Sequence, residues 1–255
     1  MTDFQPDYAG AIVQPSPNHG ERVDVQAPDA IILHYTGMGS ADSALSWLCN
    51  PESQVSSHYF VFEDGRVIQM VPESRRAWHA GKSFWAGESD LNSRSIGIEI
   101  ANGGHPAGLP EFPEPQINAV IELCRDCGAR WSITPERVLG HSDIAPVRKV
   151  DPGEKFPWDI LSQNGVGHWV EPGAIGGGRF FQRGDSGQPV EALQSMLSLY
   201  GYGVEISGSY CDRTEGAVAA FQRHFRPGLV DGIADFSTID TLHRLISTLP
   251  KFRVA

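Results

Sequence analysis

The sequence predicts an α/β fold, a β-sheet flanked by helices, joined to a small all-helical domain of about three helices. Three observations predict it. Up to Leu161, short apolar runs of strand character are interspersed with helical patterns, the order expected when helices pack on a sheet. Residues 162–179 then contain Gly165, Gly167, Gly173, Gly176, Gly177 and Gly178, the composition of a flexible connector. From Phe180 onward the apolar spacing becomes helical and compact. The 255 residues therefore divide into an N-terminal arm (1–28), a main domain (29–161), a Gly-rich linker (162–179) and a helical domain (180–249).

Taken in order, residues 1–28 are polar and rich in proline, and look like an entry arm. Strand signals follow at Asp29–Tyr35, Ser57–Phe62 and Val67–Val71. The last two flank Glu63-Asp64-Gly65-Arg66, and Asp-Gly between apolar runs is a strong hairpin signal. A helix is expected over Ala41–Cys49, started by Ser40 or Asp42, and a longer one from Pro115 to about Arg130. Ser95–Ala101, SIGIEIA, reads as a further strand. Val138-Leu139-Gly140 reads as a strand leading into a loop. In the helical part, Val190, Leu193, Gln194 and Leu197 are spaced much as Val218, Phe221 and Gln222 are later. Each stretch sets an apolar residue three before an apolar–Gln pair, which suggests a weak internal repeat.

Composition bounds the function. Apolar residues make up 40% and charged ones 20%, enough for a sizeable core without a disulfide framework. The net charge of −11 and the absence of a Lys/Arg run speak against nucleic acid as a partner. Of Cys49, Cys124, Cys127 and Cys211, the middle two form a CxxC with no second pair to complete a zinc site. They share helical spacing with Ile117, Val120 and Ile121, so buried thiols on a helix face are expected. The opening MTDFQPDYAGAIVQPSPNHG has no apolar core of signal length, and no cysteine precedes Cys49 to carry a lipid anchor. No run of about 18 apolar residues occurs, so no membrane insertion is expected. A soluble chain made without an obvious export signal is the expectation, in the cytoplasm, with the periplasm or cell envelope as the alternative.

Nine histidines are present, and two stand out by position. His34 ends the apolar strand IILHYT, where a side chain projects from a sheet edge; His141 follows a strand in GHSDIAP. Ten residues later, Asp151 precedes Pro152-Gly153, a turn that fixes its carboxylate. Two imidazoles and a carboxylate are the usual protein ligands of a catalytic zinc, with the fourth position left to water. Spacing alone leaves open that the three are separate hydrogen-bonded groups. In SIGIEIA, the two-residue alternation puts Ile96, Ile98 and Ile100 on one face and Gly97, Glu99 and Ala101 on the other. Glu99 thus stands between two residues too small to cover it. It either faces solvent or a cation, or borders a cavity where desolvation would raise its proton affinity toward that of a general base. Lys149, two residues before Asp151, is either a solvated lysine or an ammonium near the metal that stabilises an oxyanion.

Together these segments resemble the zinc-dependent N-acetylmuramoyl-L-alanine amidases of the AmpD-like branch (amidase type 2). The resemblance runs from about Ser16 to Leu161 through SPNHGER, IILHYTGM, VSSHYFV, AWHAG, NSRSIGIEI, GHSDIAP and RKVDPG, in that order. It implies the mixed central sheet of the amidase and peptidoglycan-recognition-protein fold. It also implies one Zn2+ per chain on His34, His141 and Asp151, with Glu99 as catalytic glutamate and Lys149 as transition-state lysine. His58, His79 and Asn92 fall in matching motifs and are expected in the substrate groove. Ser57 holds the place of a tyrosine that assists catalysis in lysozyme-like relatives. The segment from Gly184 to the DGIADFSTIDTL stretch resembles the small helical peptidoglycan-binding domain. The implied activity is hydrolysis of the amide between N-acetylmuramic acid, or its 1,6-anhydro form, and L-alanine in peptidoglycan or muropeptides. The alternative is a non-catalytic peptidoglycan-binding or sensing protein on the same fold.

Overall fold

In the computed structural model, which describes residues 4–178 and 180–250, the strand-like runs assemble into a mixed six-stranded sheet. The elements in chain order are β1 (Ala11–Val13), β2 (His19–Gly20), β3 (Ala30–Tyr35), α1 (Ala41–Leu48), β4 (Tyr59–Val61), β5 (Val67–Gln69) and β6 (Arg76–Ala77). They continue with α2 (Leu91–Arg94), β7 (Ser95–Ile100), α3 (Glu114–Trp131), β8 (Val138–Gly140), α4 (His141–Ile144) and α5 (Trp158–Gln163). The last three are α6 (Gln188–Tyr200), α7 (Asp212–Phe225) and α8 (Phe236–Thr248). The sheet order is β1-β5-β4-β7-β3-β8, with only the β4–β5 hairpin antiparallel.

Strand β3 is apolar on both faces up to Leu33 because it lies in the sheet's interior, where a parallel strand is covered on either side. Its neighbour β7 is apolar on one face and carries Ser95, Gly97 and Glu99 on the other. Alternation sends Ile31, Leu33, Ile96, Ile98 and Ile100 to one face, against Ile117, Val120, Ile121, Cys124 and Cys127 of α3. The expected buried thiols are there, and Cys127 donates to the fully buried Glu73. Glu73 also accepts from Tyr59, Arg130 and Trp131, so a polar knot closes that side of the core. On the other face, α1 lays Ala44, Leu45 and Leu48 over Phe60, Ile68, Met70 and Ala101. Ser40 caps α1 by accepting from Ser43 N–H.

Two expectations change. The arm is more than an entry: Ala11–Val13 add the edge strand β1 parallel to β5, and His19–Gly20 pair with β6. The linker is not wholly a tether. Trp169 and Val170 pack on the core, and Gly173 is bonded through its N–H to Thr241 and through its carbonyl to Ser237.

The helical domain has its three helices, and the apolar–Gln repeat has a structural meaning. Gln194 Oε1 accepts from the N–H groups of Ser207 and Gly208, while its amide donates to Ser209 O and Thr214. Gln222 repeats the pattern with Asp231 and Gly232 N–H, Ile233 O and Thr238. Each buried amide ties a helix to the loop after it and to the first turn of the next.

This domain shares one core with the sheet: Ile32, Leu139, Ile144 and Trp85 cluster with Leu197, Tyr202, Phe221 and Phe225. At the seam, the fully buried Asp143 of α4 accepts from Gly140 N–H (2.7 Å), Tyr202 O–H (2.7 Å) and His224 Nδ1 (2.7 Å). His224 also stacks on Trp158 at 3.7 Å.

Candidate active site

Because β3, β7 and β8 are parallel, their carboxyl ends lie along one edge, where open α/β sheets bind ligands. His34 is opposite Glu99 in register, and Leu33 is opposite Gly140, which puts His141 beside them. The sequence expectation of a loop after β8 is corrected here. His141 opens the short helix α4, whose third residue, Asp143, folds back onto the Gly140 N–H. Asp151 arrives on the following loop, held by the hydrogen bond from Ser142 N–H to its carbonyl, 2.9 Å.

Three donor atoms converge. His34 Nδ1 and His141 Nδ1 are 2.9 Å apart, and Asp151 Oδ2 is 3.0 and 3.1 Å from them. All three side chains are buried. Burial, then the neighbouring His141, lowers the His34 pKa to about 4, so this ring is neutral at physiological pH. Burial pushes the Asp151 carboxyl up, but His141 and His34 override it and hold it well below the usual range. A neutral imidazole and an ionised carboxylate, with a second imidazole turned toward them, are what a cation needs from its ligands. The donor set and its spacing fit a metal ion.

Glu99 borders the same cleft, and its Oε2 has no hydrogen-bond partner among the described residues. Burial first, then the Asp151 charge, raises its pKa well above the usual value, with Lys149 acting against them. Lys149 also lines the cleft. The cavity, about 440 Å³, is polar at its floor and apolar at its rim, where Met38, Trp47 and Val55 are exposed.

Of the three expected groove residues, only His79 reaches the cleft. His58 is fully buried, bonded to Gly97 N–H and Arg75 O, and Asn92 is buried with its Oδ1 accepting from backbone N–H groups. Both turn inward because a buried polar group must find its partners there. Sequence reasoning missed the apolar rim and Arg148, which donates to Ala80 O and Lys82 O. A tryptophan on the exposed face of α1 was the available signal for the rim.

Comparison with known proteins follows this geometry. Residues 24–154 match the family described as N-acetylmuramoyl-L-alanine amidase, and residues 186–242 match the family described as putative peptidoglycan binding domain. The chain is 41% identical over 222 residues to the N-acetylmuramoyl-L-alanine amidase AmiD of Escherichia coli, covering 82% of this chain and 78% of that one. It is 31% identical over 166 residues to the 1,6-anhydro-N-acetylmuramyl-L-alanine amidase AmpD of Escherichia coli, covering 58% of this chain and 88% of that one. A solved complex of AmiD with anhydro-N-acetylmuramic acid-L-Ala-D-gamma-Glu-L-Lys superposes with a TM-score of 0.75 at 36% identity, over 90% of this chain and 97% of that one. AmpDh3 of Pseudomonas aeruginosa superposes with a TM-score of 0.73 at 29% identity, over 97% and 100%.

Proposed function

The chain belongs to the N-acetylmuramoyl-L-alanine amidase family and is an amidase, and we propose that it cuts the muramoyl–L-alanine bond with one zinc ion held by His34, His141 and Asp151. The observation that carries this is the convergence of two imidazole nitrogens and one carboxylate oxygen beside Glu99, whose buried Oε2 has no hydrogen-bond partner among the described residues. Zinc in such a site polarises a substrate carbonyl and lowers the pKa of bound water.

The side chains supply the rest. Glu99, raised in proton affinity, takes a proton from the attacking water and delivers it to the departing L-alanine amine. The Lys149 ammonium stabilises the negative charge that develops on the carbonyl oxygen. The apolar rim of Met38, Trp47 and Val55 excludes water from one side of the substrate. A complete donor set together with Glu99 and Lys149 favours cleavage over mere binding.

The substrates proposed are muropeptides and peptidoglycan strands, in cell-wall recycling or turnover, with the helical domain holding the wall material. The bound anhydromuropeptide in the AmiD complex supports the smaller substrate, and the match at 186–242 supports the larger. The compartment proposed is the cytoplasm; recovery of the protein from the envelope fraction of lysed cells would overturn that. The activity is tested by mass analysis of peptides released from anhydromuropeptides and from sacculi, with zinc content measured on the same samples. Release of free stem peptide by the wild type and none by metal-free His34→Ala is expected. Cleavage at any other bond, or full activity of the His34→Ala protein, would refute it.

A further inference from the structure

We infer that the dipeptide His79–Ala80, pinned by Asn92, orients both histidine ligands of the metal centre. The inference rests on the metal reading above. His34 and His141 converge through Nδ1, so each ring presents its Nε2 outward. His34 Nε2 is 3.0 Å from His79 Nδ1, and His141 Nε2 is 3.1 Å from the Ala80 carbonyl oxygen. A ring that offers a bare Nδ1 to a cation keeps its proton on Nε2 and donates outward, and the acceptor it finds fixes its tautomer and its plane.

For His34 the acceptor is another imidazole. Accepting at Nδ1 leaves the His79 proton on Nε2, 3.2 Å from Ser95 Oγ. Ser95 Oγ in turn donates to the Leu91 carbonyl. The relay therefore has one direction and ends on backbone. For His141 the acceptor is the carbonyl of the next residue along, and Arg148 donates to the same oxygen at 2.8 Å.

One side chain holds both acceptors in place. Asn92 Oδ1 accepts from His79 N–H at 2.9 Å and from Ala80 N–H at 2.7 Å. The strand beneath is shaped for the ring as well. A Cβ built on Gly97 would lie 2.5 Å from His79 Cγ, so only glycine leaves the imidazole room to rest on β7. Asn92 and His79 are thus positioning residues, and Gly97 is the platform.

Chelator competition for zinc, and the visible spectrum of the cobalt-loaded protein, read ligand geometry without turnover. Asn92→Leu, His79→Phe and Gly97→Ala are expected to weaken zinc binding about 10–100-fold and to alter the cobalt spectrum. Asn92→Asp keeps the acceptor oxygen, His79→Asn sets an amide oxygen where the ring Nδ1 accepted, and both are expected to recover most of the affinity. Thermal melts of each variant identify any that unfold, and Gly97→Ala leaves both side chains chemically intact as an independent probe. Equal zinc binding by wild type and His34→Ala would overturn the metal reading itself. With His34→Ala metal-free, wild-type affinity in the three disrupting variants would overturn this inference alone. So would a loss that the acceptor-keeping variants fail to recover.

Discussion

Replacing Asp143 with alanine should loosen the helical domain from the sheet, and the structure sets the size of the effect. The carboxylate is fully buried and accepts three hydrogen bonds: one from its own helix start and two, from Tyr202 and His224, across the seam. Hydrogen bonds to a charged group contribute about 1.5–3 kcal/mol each, but they are not additive when they share one acceptor. Removing the acceptor also leaves the Tyr202 hydroxyl and the His224 ring buried without it. An unsatisfied buried donor costs about 1–3 kcal/mol, so leaving these two costs roughly 2–6 kcal/mol. For a domain of this size each kcal/mol lowers the melting temperature by roughly 2–4 °C, so a fall of about 10 °C is expected. Tyr202→Phe, which removes a single donor, should cost about 1–2 kcal/mol. Differential scanning calorimetry measures both, and the Asp143→Ala trace should broaden or split as the two parts uncouple. A melt within about 2 °C of wild type, single and equally sharp, would refute the claim that this carboxylate fastens the seam.

Other expectations are shorter to state. Glu99→Gln should keep its metal, by elemental analysis, and lose about 10²–10⁴ in turnover; near-normal turnover would remove Glu99 from the base role. Lys149→Ala should likewise retain metal and lose about 10²–10³ in kcat. Acid should unfold the protein partly through Glu73. Burial pushes that carboxyl up, but Arg130, Tyr59 and Trp131 outweigh it and bring the pKa down to about 2 from 4.5. A depressed pKa means the ionised form stabilises the fold. That contribution, about 3 kcal/mol, is complete above pH 4.5 and is lost as pH falls toward 2. Urea melts between pH 6 and 2.5 should show it in the wild type and a flatter acid limb in Glu73→Gln; identical limbs would exclude the residue as the cause.

Much of the fold was legible because its signals are local. The run AIILHY is apolar at every position but its end, so it had to be an interior strand whose last side chains emerge at an edge. The alternation in SIGIEI told which face of β7 carries Glu99, and register confirmed it beside His34. The apolar–Gln spacing of the helical domain was legible because Gln194 and Gln222 hold equivalent loops. What stayed hidden depends on distant partners. Ala11–Val13 is three residues long and becomes a strand only because β5 lies alongside it. Helix α4 has four residues, too few for a periodic pattern. The resemblance placed His58, His79 and Asn92 near the substrate, yet a motif names residues without saying which atoms they satisfy. His58 and Asn92 turned inward, to backbone groups.

The docked helical domain bears on which substrate the enzyme handles best. A domain on a free tether raises the local concentration of whatever it binds, without fixing register. This one is bonded and packed against the sheet, so wall material held by it meets the cleft at one spacing and one angle. A soluble fragment bound only in the cleft would not sense that geometry. Gly201 offers a way to disturb it from the helical side: its φ is +147°, and a Cβ there would lie 2.5 Å from the Trp85 ring. Gly201→Leu should therefore displace α6 from Trp85 while leaving the metal ligands untouched. Release of peptides from sacculi should fall about tenfold or more, as a fixed register is lost, with anhydromuropeptide turnover nearly unchanged. Equal falls on both substrates would mean that the seam serves the catalytic sheet itself. No fall on either would mean that the two parts work independently, and registration of the polymer would have to be abandoned.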